Sequence, residues 1–126
     1  MQKSILIVDD NTAIRSVVRC CFESQDGLQI CGEAVNGRDA IEKAQQLKPD
    51  LIVLDFSMPL MNGIQAASML SRLMPSVPLI LFTMHAGAVL ESDARSAGIT
   101  IIVSKDQGPE VLVSQAQTLL GVSSVS

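Results

Sequence analysis

The sequence predicts an α/β fold in which five parallel strands alternate with five helices, a (βα)5 unit. Three observations lead to this prediction: apolar runs of strand length recur, stretches with helical spacing separate them, and hydrophobic residues make up 48% of the 126 residues. Four of the apolar runs are nearly continuous, as in strands buried on both faces. Right-handed crossovers would then give a doubly wound, five-stranded parallel sheet.

The first two strand–helix units occupy the start of the chain. The strand Ile5–Val8 is followed by Asn11 and Thr12, which are good helix-capping residues. The helix after them carries apolar residues along one stripe: Ile14, Val17, Val18, Cys21 and Phe22. A weaker strand follows at Leu28–Ala34. The second helix repeats the spacing at Ala40, Ile41, Ala44 and Leu47, and Pro49 ends it.

Three further units complete the pattern. The strand Leu51–Leu54 precedes a helix over residues 63–74 that is apolar on more than one side. The strand Leu79–Phe82 precedes the weakest helix, residues 86–97, which has an early glycine and only small residues at the core spacing. The strand Ile99–Val103 leads to the last helix, which follows a Gly-Pro pair. That helix carries its periodic residues at Val111, Leu112, Gln115, Ala116, Leu119 and Leu120.

Length and charge limit the kinds of function. The length suits one domain, which we predict over residues 1–121, with residues 122–126 as a tail or the start of a linker. The net charge is −4, and the chain has no run of Lys or Arg. Because nucleic-acid binding requires a basic face, direct binding of DNA or RNA is not expected.

Nothing in the sequence predicts membrane insertion, secretion or a zinc site. No apolar run approaches the roughly 18 residues that span a bilayer, and the first residues do not form a signal peptide. Cys20, Cys21 and Cys31 form no Cys-x-x-Cys pattern and lie far from the single histidine, His85. These features favour reduced thiols in a cytoplasmic protein.

Charged and polar residues follow four of the predicted strands. Asp9 and Asp10 follow the first strand, Asp55 the third, Thr83 the fourth, and Lys105 comes just after the fifth. In open α/β sheets, ligands bind outside the carboxyl ends of the strands at the topological switch point. We therefore expect these five side chains to converge on one crevice.

This set of groups predicts a site for Mg²⁺ and a phosphoryl group. Neighbouring carboxylates repel one another unless a cation neutralises them, and oxygen ligands without nearby His or Cys favour Mg²⁺. Lys105 adds charge and Thr83 a hydroxyl donor for an anion with several oxygens. Asp55, held between Mg²⁺ and Lys105, would then be a nucleophile toward phosphorus.

Each of these residues alone has an ordinary structural explanation. An aspartate after a strand is usually a turn residue or a helix cap, and a lone lysine is usually solvated. The coincidence of complementary groups at the ends of four strands is what favours a functional site.

The chain resembles the receiver domains of bacterial response regulators over nearly its whole length. The resemblance rests on the acidic pair after the first strand, on Thr83 and Lys105, and on the segment Asp55–Gly63. That segment reads Asp-Phe-Ser-Met-Pro-Leu-Met-Asn-Gly, close to the family's Asp-x-x-Met-Pro-x-Met-(Asp/Asn)-Gly. The resemblance implies a flavodoxin-like receiver fold, two-component signal transduction, and no enzymatic turnover beyond self-phosphorylation and autodephosphorylation.

The resemblance also implies roles for the metal-site residues. Asp10 and Asp55 would bind Mg²⁺ directly, together with the main-chain carbonyl of Ser57, and Asp9 would contribute through water.

For the phosphoryl group, the resemblance implies that Asp55 is the acceptor and that Lys105 pairs with it. Thr83 would move toward the phosphoryl group and couple it to the face formed by the fourth helix, fifth strand and fifth helix. The donor would be a sensor histidine kinase or a phosphotransfer protein, and phosphorylation is expected to favour a homodimer.

Four positions depart from the family pattern. Ile102 stands where a switch aromatic is usual, Ile101 where glycine is frequent, Asp106 where a proline commonly follows the lysine, and Met84 where a small residue is usual. These positions bear on donor access and output coupling. They keep open a second hypothesis, a receiver-like module that binds proteins independently of phosphate.

Two other classes fit less well. A haloacid-dehalogenase-like phosphatase would need an aspartate where Ser57 stands. A nucleotide-binding Rossmann domain would need Gly-x-Gly-x-x-Gly after the first strand, and that motif is absent.

Overall fold

Five strands and five α-helices alternate along the chain in a computed structural model, which describes residues 2–84 and 87–122. The strands are β1 (Lys3–Val8), β2 (Leu28–Ala34), β3 (Leu51–Leu54), β4 (Leu79–Thr83) and β5 (Ile101–Ser104). The helices are α1 (Thr12–Glu23), α2 (Gly37–Leu47), α3 (Gly63–Leu73), α4 (Ala88–Ser96) and α5 (Pro109–Leu120). A short 3-10 helix, Lys105–Gln107, joins β5 to α5.

All neighbouring strands pair in parallel, in the order β2-β1-β3-β4-β5. The chain moves from β1 to one edge of the sheet and then returns past β1 to build the other side. The order therefore reverses between β1 and β3, which is the topological switch point. The predicted doubly wound parallel sheet is confirmed.

Two hydrophobic cores cover the two faces of the sheet. Ile5 and Ile7 of β1 pack in the cluster that contains α1 and α5. Leu6 and Val8 point the opposite way and pack with α2, α3 and α4, where the buried helical residues are mostly alanine. Because helices cover both faces, a ligand can reach the strands only at their ends.

Asparagine caps begin the first three helices. Asn11, Asn36 and Asn62 each accept a hydrogen bond from the backbone N–H three residues on, as predicted for Asn11. The second helix ends at Leu47, two residues before Pro49, as predicted. Among the described residues, no helix is long and apolar enough to cross a membrane.

The fifth strand begins two residues later than predicted. Ile99 is buried, but its N–H donates to the carbonyl of Ala94, so it closes the end of α4 instead of pairing in the sheet. Thr100 then bonds to Leu79 through both its N–H and its hydroxyl, and sheet pairing starts at Ile101. Apolar character alone could not separate a buried turn residue from a strand residue.

The ends of two predicted elements lie partly outside the described residues. The weak helix begins at Ala88, and residue 86 of the predicted range and His85 are not described. At the C-terminus, the N–H of Val122 donates to the carbonyl of Gln117, and the Val122 side chain packs on the α1–α5 core. Met1 of the predicted domain and residues 123–126 of the predicted tail also lie outside the described residues.

Candidate functional site

The ends of β1 and β3 set the positions of two aspartates. Val8 and Leu54 are register partners at the ends of these adjacent strands. The backbone N–H of Asp55 donates to the carbonyl of Val8 at 3.0 Å, which continues the strand pairing by one residue. Asp9 and Asp55 therefore leave the sheet side by side at the switch point.

Three carboxylates form one cluster at this edge. Oxygen atoms of Asp9, Asp10 and Asp55 all lie within 4.8 Å of one another. Asp9 and Asp55 are only 3% and 6% exposed, whereas Asp10 is exposed. The cluster therefore has two buried carboxylates and one that faces solvent.

Among the described residues, Lys105 is the only lysine or arginine whose side chain forms ion pairs with this cluster. Its Nζ lies 2.9 Å from Oδ2 of Asp9 and 3.4 Å from Oδ1 of Asp55. The side chain is 12% exposed, and Nζ lies 6.0 Å from the centre of the Phe82 ring. The lysine predicted to face the acceptor thus contacts Asp55, but its shorter ion pair is with Asp9.

Burial and two neighbouring charges act on the carboxyl group of Asp55. Burial raises the pKa of its carboxyl group, and the negative charge of Asp9 raises it further, while the ammonium of Lys105 acts in the opposite direction. Ionised Asp55 is therefore held at a cost in free energy that an added cation would reduce.

Asp9 already uses both carboxylate oxygens. Oδ1 accepts from the N–H of Asn11 at 2.9 Å, and Oδ2 accepts from Lys105. Asp10 makes no such contact among the hydrogen bonds of the described side chains, and its carboxylate is the more accessible of the two.

Thr83 lies at the end of β4, and Ser57 lies in the loop after β3. Thr83 is the last residue of β4, fully buried, and its register partner is Ser104, the residue before Lys105. Ser57 is exposed, two residues after Asp55 in the β3–α3 loop. Met84, which follows Thr83, is 58% exposed and so faces solvent beside the strand end.

Sequence reasoning did not single out Gly63 as a structural determinant of the site. Its N–H donates to the carbonyl of Phe56 at 2.9 Å, which closes the β3–α3 loop. A Cβ atom at this position would lie 2.2 Å from the carbonyl oxygen of Asp55. The glycine allows α3 to begin directly against the backbone of Asp55. Its presence in the quoted motif was the available signal.

Sequence reasoning also missed Arg15. This α1 residue donates to the carbonyl oxygen of Asp9 at 2.6 Å and to the carboxylate of Glu33 on β2 at 2.8 Å. The signal available in the sequence was a charged residue, Glu33, within an otherwise mostly apolar strand.

The sequence is similar to a family model described as the response regulator receiver domain, which matches residues 5–117. It is 34% identical over 113 residues to the chemotaxis protein CheY of Thermotoga maritima, covering 90% of this chain and 93% of that protein. It is 35% identical over 113 residues to the uncharacterized transcriptional regulatory protein YhcZ of Bacillus subtilis, covering 90% of this chain and 53% of YhcZ.

A further relative is the protein-glutamate methylesterase/protein-glutamine glutaminase of Nocardioides sp., 38% identical over 103 residues. That match covers 80% of this chain and 28% of the relative. The chain thus spans about half or less of the length of the larger relatives.

Solved structures show the same fold. The response regulator domain of Thermotoga maritima CheB superposes with a TM-score of 0.88 at 27% identity, covering 98% of this chain and 99% of that chain. A LuxR-family two-component response regulator from Aurantimonas sp. SI85-9A1 superposes with a TM-score of 0.91 at 27% identity, covering 96% of this chain and 86% of that chain.

Proposed function

Because the chain belongs to the response regulator receiver domain family, we propose that it accepts a phosphoryl group on Asp55 from a sensor histidine kinase or a phosphotransfer protein. Receiver domains are modules of two-component signalling and not turnover enzymes. In the methylesterase relatives, the chain matches under a third of the protein. The proposal assigns no esterase activity to this domain.

One observation carries the proposal. Asp55 leaves β3 at the switch point with its carboxylate in a cluster with Asp9 and Asp10 and in ion contact with Lys105. A nucleophile beside a fixed cation is what phosphoryl transfer needs, because negative charge on the transferring oxygens must be stabilised.

The donor set fits Mg²⁺. Three carboxylates with oxygen atoms within 4.8 Å carry more negative charge than Lys105 alone can offset, and no histidine or cysteine is among them. We assign Asp10 and Asp55 as direct ligands with the main-chain carbonyl of Ser57, and Asp9 as a ligand through water. When bound, Mg²⁺ would neutralise charge on the phosphoryl oxygens.

The transfer step follows from these positions. A carboxylate oxygen of Asp55 attacks phosphorus and forms an acyl phosphate. The P–N bond to the donor histidine breaks, its electron pair stays on the imidazole nitrogen, and that nitrogen takes up a proton from water. Lys105 stabilises the phosphoryl oxygens, and the hydroxyl of Thr83 donates to one of them.

The test is phosphorylation by acetyl phosphate in the presence of Mg²⁺, followed by intact-mass measurement. We expect the parent to gain one phosphoryl group and Asp55→Asn to gain none. Asp106→Asn is the matched control, since Asp106 is exposed beside Lys105 and should not change the result. An Asp55→Asn variant that gains phosphate as fully as the parent would refute the assignment.

The same variant must also be shown to fold. Burial and the charge of Asp9 raise the pKa of Asp55, so an uncharged amide at this position should leave the free energy of unfolding equal or higher at neutral pH. A loss of phosphorylation then cannot be attributed to unfolding.

Phosphorylation is proposed to act through the face formed by α4, β5 and α5. Gly87 precedes α4 at the N-cap position and provides no side-chain hydrogen bond, and Ala94 is the one fully buried residue among the helix's described side chains. Ile102 of β5 and Leu90 of α4 are both partly buried and pack against the same core cluster. A helix with so few anchoring contacts can shift at a small free-energy cost.

We expect beryllofluoride with Mg²⁺, a stable phosphate mimic, to change amide NMR shifts across residues 84–104 and to favour a homodimer or partner binding through that face. Amides of α2 serve as the internal reference and should change little. If the changes stop at residues that touch the mimic, the phosphate-independent binding module becomes the better hypothesis.

A further inference from the structure

Arg15 connects the loop after β1, residues 9–11, here called the acidic loop, to β2, an edge strand of the sheet. Its Nη1 donates to the main-chain oxygen of Asp9 at 2.6 Å, and its Nε donates to Oε1 of Glu33 at 2.8 Å. Nη2 also lies 3.3 Å from the hydroxyl oxygen of Thr12. The side chain is 13% exposed, so these contacts are largely shielded from water.

These bonds fix the backbone around Asp10. The carbonyl of Asp9 belongs to the peptide unit before Asp10, and Arg15 holds it. The N–H of Asn11 belongs to the peptide unit after Asp10, and Oδ1 of Asp9 holds it at 2.9 Å. With both flanking peptide planes oriented, the Cα–Cβ direction of Asp10 is set even though its carboxylate is exposed.

Glu33 is itself held firmly. Its Oε2 accepts from Nε of Arg19 at 2.7 Å, and Lys43 donates to its main-chain oxygen. Burial alone would raise the pKa of Glu33, but Arg19 and Arg15 outweigh it and lower the pKa. The carboxylate therefore stays charged at neutral pH and anchors the guanidinium of Arg15.

We propose that Arg15, anchored by Glu33, is a positioning residue for the divalent-cation site, because it fixes the peptide unit that directs Asp10 toward Asp55. The inference rests on the proposed function, since it assumes that Asp10 and Asp55 bind the cation. Groups that orient metal ligands from outside the coordination sphere typically change metal affinity 10- to 100-fold when removed.

The test is Mg²⁺ affinity, measured without phosphorylation by titrating amide NMR shifts of residues 9–11 and 55. We expect Arg15→Ala to weaken Mg²⁺ binding about 10-fold. Arg19→Ala is the matched control: Arg19 bonds to the same Glu33 but makes no hydrogen bond to the acidic loop among the described contacts. Its Mg²⁺ affinity should stay within about twofold of the parent's.

Two further variants guard against a simple folding defect. Arg15→Lys keeps the charge but lacks the planar fork that bonds to Asp9 and Glu33 together, so its Mg²⁺ affinity should fall between those of the parent and Arg15→Ala. Glu33→Gln removes the anchor's charge and should weaken binding less than Arg15→Ala. Circular dichroism melts establish that each variant is folded.

The outcomes separate the inference from the proposed function. If Arg15→Ala binds Mg²⁺ as well as the parent, or if Arg19→Ala loses as much affinity, the positioning role is wrong and the proposed function stands. If the folded parent shows no Mg²⁺-dependent shifts near Asp55, the proposed metal role itself is wrong, and the inference falls with it.

Discussion

Gly63→Ala is expected to lower the free energy of unfolding by about 3 kcal/mol, the upper range for forcing an extra methyl group into a packed site. The added Cβ would lie 2.2 Å from the carbonyl oxygen and 2.9 Å from the carbonyl carbon of Asp55, and 3.0 Å from Cα of Phe56. All three are backbone atoms, so the clash cannot be relieved by turning a side chain. Either the start of α3 or the segment after β3 must move.

The control for this prediction is Gly87→Ala. A Cβ at Gly87 would meet no atom within 4 Å, and the backbone there is extended with φ of 172°. Gly87→Ala should change the free energy of unfolding by no more than about 1 kcal/mol. Alanine makes the unfolded chain less flexible, which stabilises the fold, but it is a poorer helix cap than glycine, which destabilises it. The chain has no Trp or Tyr, so urea unfolding is followed by far-ultraviolet circular dichroism. If the two substitutions changed the free energy of unfolding equally, the close approach of Gly63 to the backbone of Asp55 would be refuted.

Asp10→Ala is expected to lower the affinity for Mg²⁺ about 100-fold, which corresponds to about 2.7 kcal/mol. Both oxygens of Asp9 are engaged by Asn11 and Lys105, and Asp10 is the exposed carboxylate of the cluster. Removing it leaves Asp55 as the one remaining direct carboxylate ligand in the proposed site. NMR titration of amide shifts near Asp55 measures the change.

Two controls accompany the Asp10 variant. Asp106→Ala removes an exposed aspartate next to Lys105 and should bind Mg²⁺ as the parent does. Without metal, Asp10→Ala should be as stable as the parent or more stable, because one of three mutually repelling carboxylates is gone. With Mg²⁺ at 100 times the parent's Kd, the parent should gain about 2.7 kcal/mol of stability and the variant only about 0.4 kcal/mol. Retention of the Mg²⁺-induced shifts in Asp10→Ala would exclude Asp10 as a ligand.

Much of the fold follows from short-range patterns. Nearly continuous apolar runs predict buried parallel strands, and three of these, Ile5–Val8, Leu51–Leu54 and Leu79–Phe82, lie within observed strands. The strand predicted over Ile99–Val103 begins at Ile101 instead, because the N–H of Ile99 donates to the end of α4. Periodicity reports which residues are buried, and burial is shared by strands and by the turns that pack against them.

The composition of the candidate site was also accessible from the sequence. Right-handed crossovers and strand order bring the residues after β1, β3 and β5 to one edge, and Asp9, Asp10, Asp55 and Lys105 do come together there. Their roles in metal binding and phosphoryl transfer stay predictions that the variants above test. That Lys105 pairs more closely with Asp9 than with Asp55 was not accessible, since both aspartates follow neighbouring strands.

The sequence by itself determined the α/β class, the parallel strands and the residues that end them, because these depend on periodicity and on chain-local signals such as caps and prolines. Only the tertiary structure decided which groups are buried, how close they approach and what supports them. Arg15 reaches Glu33 across 18 positions, and Gly63 meets the backbone of Asp55 across a loop. Such contacts depend on the relative positions of neighbouring elements, which the packing of both cores sets and no local pattern encodes.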